Sequence, residues 1–284
     1  MKNAILKPED FKRAIQAIDV LGATPAVLVK VAKLAQNPNT DLDAISALLR
    51  NDGPLVADII RISNSPYYAP DTFHSNLTSA INFIGLREVI RVVNLSLSRQ
   101  LFARDLTSYG ISANDYWSDS VAAALVMEAI AKLPGLNTED AYTIGILHGI
   151  GRVLINRVIE EQGFTIYWES SQPIEEWERD AVGFDYAQAG AMLLEHWDFP
   201  TATCDVIRWQ LHPDKVVEPL SLLGALQFTQ RLLARTRLDF ENNDWQLPET
   251  DPFMKAAGLT PEITSQYLSG CKENYQRIHQ SVYL

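Results

Sequence analysis

The stretch that decides the fold is YTIGILHGIGRVLI, residues 142–155, with Leu147-His148-Gly149-Ile150-Gly151 at its centre. Its side chains are apolar almost throughout, which predicts one buried helix. A single histidine on such a helix is most often a core residue with locally satisfied polar atoms. Whether His148 is instead the remnant of a metal site depends on the sequence around it.

Helical periodicity extends over almost the whole chain. Apolar residues recur every three or four positions along residues 86–101, which is typical of an amphipathic helix. Residues 121–133 are apolar nearly all round, which predicts a helix at the centre of a bundle. No segment alternates as a strand would, and the acidic, proline-containing segment 239–252 predicts an exposed loop. These patterns together predict an all-α fold.

Composition narrows the class of function. The 284 residues carry a formal net charge of -11, whereas binding nucleic acid by bulk electrostatics needs a basic face. No apolar run approaches the roughly 20 residues of a membrane span. The polar N-terminus does not resemble a signal peptide, and two cysteines, Cys204 and Cys271, suit a reducing compartment. We therefore expect a cytoplasmic protein that binds neither nucleic acid nor membrane.

Several short motifs, taken in order, resemble the HDOD family, bacterial signal-output domains related to the HD-type metal phosphohydrolases. Each motif is weak alone, but their order over about residues 15–215 is specific. The motifs are Leu21-Gly22-Ala23-Thr24-Pro25, Asn51-Asp52-Gly53-Pro54-Leu55, Asn64-Ser65-Pro66-Tyr67-Tyr68, residues 80–86 (AINFIGL), residues 116–120 (YWSDS), residues 146–151, residues 182–190 (VGFDYAQAG) and Trp197-Asp198-Phe199-Pro200.

The resemblance implies an all-helical fold of two packed subdomains and a role in signalling rather than metabolism. The N-terminal helical subdomain would cover residues 1–110. The second subdomain, similar to an HD-domain helical bundle with a C-terminal helical extension, would cover residues 111–284. The division would lie near residues 105–115.

The same resemblance indicates where metal ligands would stand. The related enzymes place a histidine on the central helix where this chain has Asp119. They place a His-Asp pair where this chain has His148 and Gly149. Glycine has no side chain to offer a metal ion, so the pair is broken. His148 is kept, and Asp119 could substitute as a ligand.

Three further positions also lack the histidines that the resemblance would place there. HDOD proteins often keep a histidine after the Gly-Phe-Asp run, where this chain has Tyr186. Many carry a His-His pair before a downstream proline, which here falls on Gln210 and Leu211, with His212 one place away. Tyrosine and glutamine are poor ligands for divalent metals at neutral pH. The resemblance thus predicts a vestigial site of polar groups that bond to one another.

Two functional interpretations follow. The favoured one is a non-catalytic signal-transduction module that recognises a protein or a ligand, has no catalytic residues, needs no metal or other cofactor, and receives its input from a signalling partner in trans. The alternative is a metal-dependent phosphohydrolase with rearranged ligands, drawn from Asp119, His148 and either His212 or Asp185. A hydrolytic centre needs several His or carboxylate ligands and an open position for water.

Overall fold

The secondary structure of the described part of the chain consists of helices joined by turns and loops. The structure is a computed structural model that describes residues 13–16, 24–35, 42–50, 52–65, 68, 70–169, 171–236 and 251–283. The first helices are α1 (Thr24–Ala35), α2 (Leu42–Leu49), α3 (Gly53–Ser63), α4 (Leu77–Leu101), α5 (Ala113–Ile130) and α6 (Thr138–Leu147). The later ones are α7 (Ile150–Glu161), α8 (Ile174–Val182), α9 (Tyr186–His196), α10 (Thr201–Trp209), α11 (Leu222–Thr236), α12 (Pro252–Ala257) and α13 (Pro261–Tyr283). No strand occurs among these residues, which confirms the predicted all-α class.

Polar side chains fix where several helices begin. The Asp52 carboxylate accepts a hydrogen bond from the Leu55 N–H at 3.0 Å and caps α3. At α9, Asp185 and Gln188 form a reciprocal capping box, with the Gln188 N–H 3.0 Å from the Asp185 carboxylate. Such caps satisfy amide groups that a helix start leaves unpaired, and each stabilises a helix by about 1 kcal/mol. Asp185 is therefore engaged in holding the N-terminus of α9.

The segment 142–155 forms two helices, so the prediction of one buried helix is wrong. α6 ends at Leu147, and α7 begins at Ile150. The glycines of this segment allow both helices to lie unusually close to their neighbours. A β-carbon on Gly145 would lie 2.5 Å from the Ala124 Cα, and one on Gly151 would lie 2.5 Å from the Gly190 nitrogen. Close packing against α5 and α9 thus sets the directions of α6 and α7 and places the bend at His148-Gly149.

Helix α5 lies at the centre of the second half of the molecule, as its all-round apolar sequence predicts. Residues 120–127 are all buried. Helices α6, α11 and α13 pack against α5, and α9 packs against α7 and α10. The first half is joined to this bundle mainly through α4 and α6, where the Asn94 amide donates to the Thr143 hydroxyl at 3.1 Å.

The buried apolar residues of both halves form one continuous cluster. The division into subdomains near residues 105–115 therefore stays a prediction. Of the segment predicted as an exposed loop, residues 239–250 lie outside the described residues. Asp251 is buried rather than exposed, because its carboxylate caps α12 and pairs with Arg231. None of the described helices combines the length and apolar character that a bilayer span requires.

Candidate functional site

A pocket of about 610 Å³ opens between α5, the junction of α6 and α7, α9 and α11. Three of the predicted site residues line it: Asp119 from α5, His148 from the junction and Tyr186 from the start of α9. Arg152 of α7 lines the same pocket. Residues that are distant in sequence thus meet around one cavity large enough for a small molecule.

His148 lies at the end of α6 and faces the pocket with a neutral imidazole ring. Its Nδ1 lies 2.8 Å from the Gly145 carbonyl oxygen. Because a carbonyl only accepts, Nδ1 carries the proton and Nε2 the lone pair. Burial lowers the pKa of His148 to about 4, and the nearby Arg152 charge acts in the same direction. The ring is therefore uncharged at neutral pH.

The space beside Gly149 is taken by Tyr116. The Tyr116 hydroxyl donates a hydrogen bond to the Gly149 carbonyl oxygen. A β-carbon built on Gly149 would fall well inside van der Waals contact with that hydroxyl and 3.1 Å from the ring carbon that bears it. Tyr116 is itself buried and packs edge-on against Phe102, with ring centroids 5.0 Å apart. The position at which the related enzymes carry a metal-binding aspartate therefore has no room for a side chain.

Arg152 brings a permanent positive charge into the pocket, and sequence reasoning missed it. Its guanidinium lies over the Tyr186 ring, with Cζ 4.1 Å from the ring centroid, a cation–π contact. The nearest carboxylate in an ion pair with it is Glu178, at 4.0 Å from Nε. Nε is buried without a hydrogen-bond partner among the described residues. The side chain is only 20% exposed, so this charge is poorly solvated.

A buried network beneath Arg152 ties α8 to α9. Glu178 accepts a hydrogen bond from the Tyr109 hydroxyl at 3.0 Å and another from the Tyr186 N–H at 2.8 Å. Its side chain is fully buried, and this desolvation raises its pKa to about 7, although Arg152 acts in the opposite direction. Glu178 thus orients the start of α9, and with it the Tyr186 ring, under the guanidinium.

Gln210 is buried next to residues that line the pocket, and both ends of its amide form hydrogen bonds. Its nitrogen donates to the carbonyl oxygens of His148 and Ile207, both at 2.9 Å. Its oxygen accepts from the Gln230 amide at 2.7 Å, and Gln230 also lies 3.5 Å from the Tyr186 hydroxyl. Gln210 therefore links the α6–α7 junction, α10 and α11.

His212 and Asp185 stand apart from this arrangement. His212 is partly exposed, packs edge-on against Trp209 and lies 3.8 Å from the Asp214 carboxylate. Asp185 caps α9 and pairs with Arg179 at 2.9 Å. Neither residue lines the pocket, so the rearranged ligand sets that include them are not assembled in this structure.

The polar groups at the pocket differ from the ligand set of a hydrolytic metal centre. Asp119 and His148 could each offer one donor atom, while Arg152 places a positive charge beside them. Burial raises the pKa values of Tyr116 and Tyr186 above that of an ordinary phenol, so both stay protonated. The pKa of Asp119 is raised to about 6, mainly by desolvation, although the residue keeps an exposed surface. Two donors facing a guanidinium do not suit a divalent cation.

Comparisons with known proteins agree with this architecture. The family model of the HDOD domain matches residues 21–213, more than half of the chain. The chain therefore belongs to the HDOD family, and the resemblance noted in the sequence is confirmed. A protein of Treponema pallidum (strain Nichols) with no assigned role is 24% identical over 229 residues. That match covers 76% of this chain and 43% of the relative, so the chain spans less than half of that protein's length.

Solved structures share the fold at low sequence identity. An HDOD domain protein of unknown function from Geobacter sulfurreducens superposes with a TM-score of 0.70 at 19% identity, over 96% of this chain and 97% of the other. A Shewanella amazonensis protein provisionally assigned as a phosphohydrolase gives 0.67 at 22% identity, over 94% and 97%. A Marinobacter aquaeolei protein provisionally assigned to signal transduction gives 0.66 at 19%, over 96% and 64%. At these identities the likeness concerns the fold.

Proposed function

We propose that this protein is a non-catalytic regulatory module in signal transduction, which works by recognising a ligand or a partner protein. The observation that carries the proposal is the Arg152 guanidinium, which lies in the pocket with His148 and Asp119. A divalent metal bound there would face a fixed positive charge in a poorly solvated setting, and like charges at short range repel strongly under those conditions.

Two further contacts support the proposal. The Tyr116 hydroxyl occupies the space in which a side chain at position 149 would begin. Gln210 uses both ends of its amide within the protein, on His148, Ile207 and Gln230. Such groups stabilise the pocket wall without offering ligands to a metal ion.

The wider biological setting belongs to the same proposal. Membership of the HDOD family and the fold shared with a protein assigned provisionally to signal transduction favour a regulatory role. We propose that the signal reaches the module from a partner protein in trans, in the cytoplasm of a bacterium.

One observation favours a second candidate, a metal-dependent phosphohydrolase. His148 donates from Nδ1 to a backbone carbonyl and keeps its lone pair on Nε2, which is the arrangement of many metal-binding histidines. Asp119 lies at the same pocket, and a fold neighbour carries a provisional phosphohydrolase assignment.

A hydrolysis assay separates the two candidates. The protein would be incubated with Mn²⁺ or Fe²⁺ and 4-nitrophenyl phosphate, bis(4-nitrophenyl) phosphate or a cyclic dinucleotide. We expect no turnover above a metal-only control. Metal-dependent turnover that His148→Ala abolishes, and that the matched variant His212→Ala retains, would establish the phosphohydrolase instead.

A further inference from the structure

One wall of the pocket lies outside the segment that the HDOD family model covers. That segment ends at residue 213, whereas α11 begins at Leu222 and contributes Gln230, Arg231 and Ala234 to the pocket lining. The cavity is therefore completed by residues beyond the segment that the family model matches. The charge and polarity of these residues, together with those of Arg152, indicate which class of ligand the cavity can bind.

The charges of the pocket favour an anion. Among the described residues, no carboxylate lies within close hydrogen-bonding distance of Arg152, since Glu178 lies 4.0 Å from its Nε. Arg231 of α11 adds a second guanidinium to the pocket lining, although Asp251 pairs with it at 2.8 and 3.2 Å. Asp119 is the one carboxylate lining the pocket among the described residues, and it stands at the solvent-exposed side. A poorly solvated guanidinium gains most from an oxyanion that accepts its hydrogen bonds.

Other lining groups suit the remainder of an organic ligand. The Gln230 amide nitrogen lies 3.5 Å from the Tyr186 hydroxyl, so that hydroxyl accepts from Gln230 and can donate its own proton to a ligand. Ala123, Leu211 and Leu233 supply apolar surface. A volume of about 610 Å³ exceeds what a bare inorganic anion fills and falls within the range of small-molecule sites.

We propose that this pocket binds a small organic anion, a molecule with a phosphate or carboxylate group on an apolar body, and that Arg152 binds the charged group. This inference deepens the proposed regulatory function and rests on it, because it names the class of ligand that the module would recognise. Gln230 and Arg231 of α11 would then help to determine which anion is accepted.

Four probes test the ligand class. Binding of 4-nitrophenyl phosphate, 4-nitrobenzoate, inorganic phosphate and uncharged 4-nitrobenzyl alcohol would be measured by ligand-observed NMR titration at millimolar concentrations. We expect saturable binding of at least one organic anion and none of the alcohol. Comparing the affinities of 4-nitrophenyl phosphate and 4-nitrobenzoate shows whether the pocket prefers a phosphate or a carboxylate.

Three variants locate the binding. Arg152→Gln removes the guanidinium, and we expect it to weaken binding by roughly tenfold or more, since charge-assisted hydrogen bonds are the strong ones. Ala234→Trp blocks the cavity at an exposed residue, where the larger side chain is compatible with folding, and it keeps every charge. Arg157→Gln is the matched control, because Arg157 lies on the same helix, pairs with Glu161 at 2.9 Å and does not line the pocket.

Loss of binding in Arg152→Gln and in Ala234→Trp, with binding retained in Arg157→Gln, would support the inference. Two results with the variants would overturn it: Arg157→Gln loses as much binding as Arg152→Gln, or Ala234→Trp binds as well as the parent. Two results with the parent protein would also overturn it: the alcohol binds as well as the anions, or no anion binds. Hydrolysis of bound 4-nitrophenyl phosphate would overturn the non-catalytic function while leaving the anion site in place. Absence of both binding and hydrolysis would remove the anion site and leave the non-catalytic function standing.

Discussion

A methyl group at position 149 tests whether Tyr116 fills the space of the missing aspartate. The backbone of Gly149 has φ -93° and ψ -3°, a conformation that alanine adopts without strain. Any cost of Gly149→Ala therefore comes from its surroundings. The added β-carbon would overlap the Tyr116 hydroxyl and lie 3.1 and 3.4 Å from two ring carbons.

The magnitude follows from three contributions. Overpacking a buried site costs about 1–3 kcal/mol. Displacing Tyr116 also weakens its hydrogen bond to the Gly149 carbonyl, a loss of about 0.5–1.5 kcal/mol. Replacing glycine by alanine lowers the entropy of the unfolded chain and returns about 0.4–1 kcal/mol. We expect Gly149→Ala to lower the free energy of unfolding by about 0.5–4 kcal/mol.

Urea denaturation followed by circular dichroism measures this change through the transition midpoint. Gly270→Ala is the matched control, because a β-carbon on Gly270 of α13 meets no atom within 4 Å, and we expect it to be neutral or slightly stabilising. Tyr116→Phe removes the overlapping hydroxyl, so the double variant should be destabilised by about 1 kcal/mol less than the sum of the single variants. A Gly149→Ala protein as stable as the parent, or additive changes in the cycle, would refute the reasoning.

Two further predictions concern pH. The folded-state pKa of His148 is lowered from 6.5 to about 4, so the protein should lose up to about 3 kcal/mol of stability as pH falls from about 6.5 to 4. Thermal melts at several pH values should show no such loss for His148→Asn. The control variant His212→Asn should show the same loss as the parent. The pKa of Glu178 is raised to about 7 from 4.5, so the folded state favours the protonated carboxyl and loses stability as pH rises from about 4.5 through 7. Glu178→Gln should remove this contribution, and a variant with the parent's pH slope between 5 and 8 would contradict the assignment.

The fold was predictable because the apolar pattern is strongly helical, both in amphipathic segments such as residues 86–101 and in residues 121–133, which are apolar nearly all round. The prediction of a single helix over residues 142–155 failed because contacts with other helices, and not the local sequence, determine the bend. Residues 142–155 are apolar almost throughout, so periodicity gives no sign of a bend at His148-Gly149. The bend follows from contacts of Gly145 and Gly151 with α5 and α9, which are not apparent from the segment itself.

The site was predictable only in part. Motif order placed Asp119, His148 and Tyr186 at a common site, and all three line one pocket. Arg152 was visible as the one arginine, lysine or acidic residue within residues 142–155, a pattern that indicates a charge with a specific role. Glu178 gave no such signal, because it lies in an acidic amphipathic helix where a solvated carboxylate is the usual expectation.

The central claim is that the Arg152 guanidinium, in the same pocket as His148 and Asp119, disfavours the metal ion that hydrolysis would need. Metal content tests this claim most directly. Protein purified without chelator would be analysed by elemental mass spectrometry for Mn, Fe, Ni and Zn, and its melting temperature would be compared with and without chelator. We predict well under one equivalent of metal per chain and the same melting temperature in both conditions. Stoichiometric metal whose removal lowers the melting temperature, as loss of a tightly bound ligand must, would contradict the account.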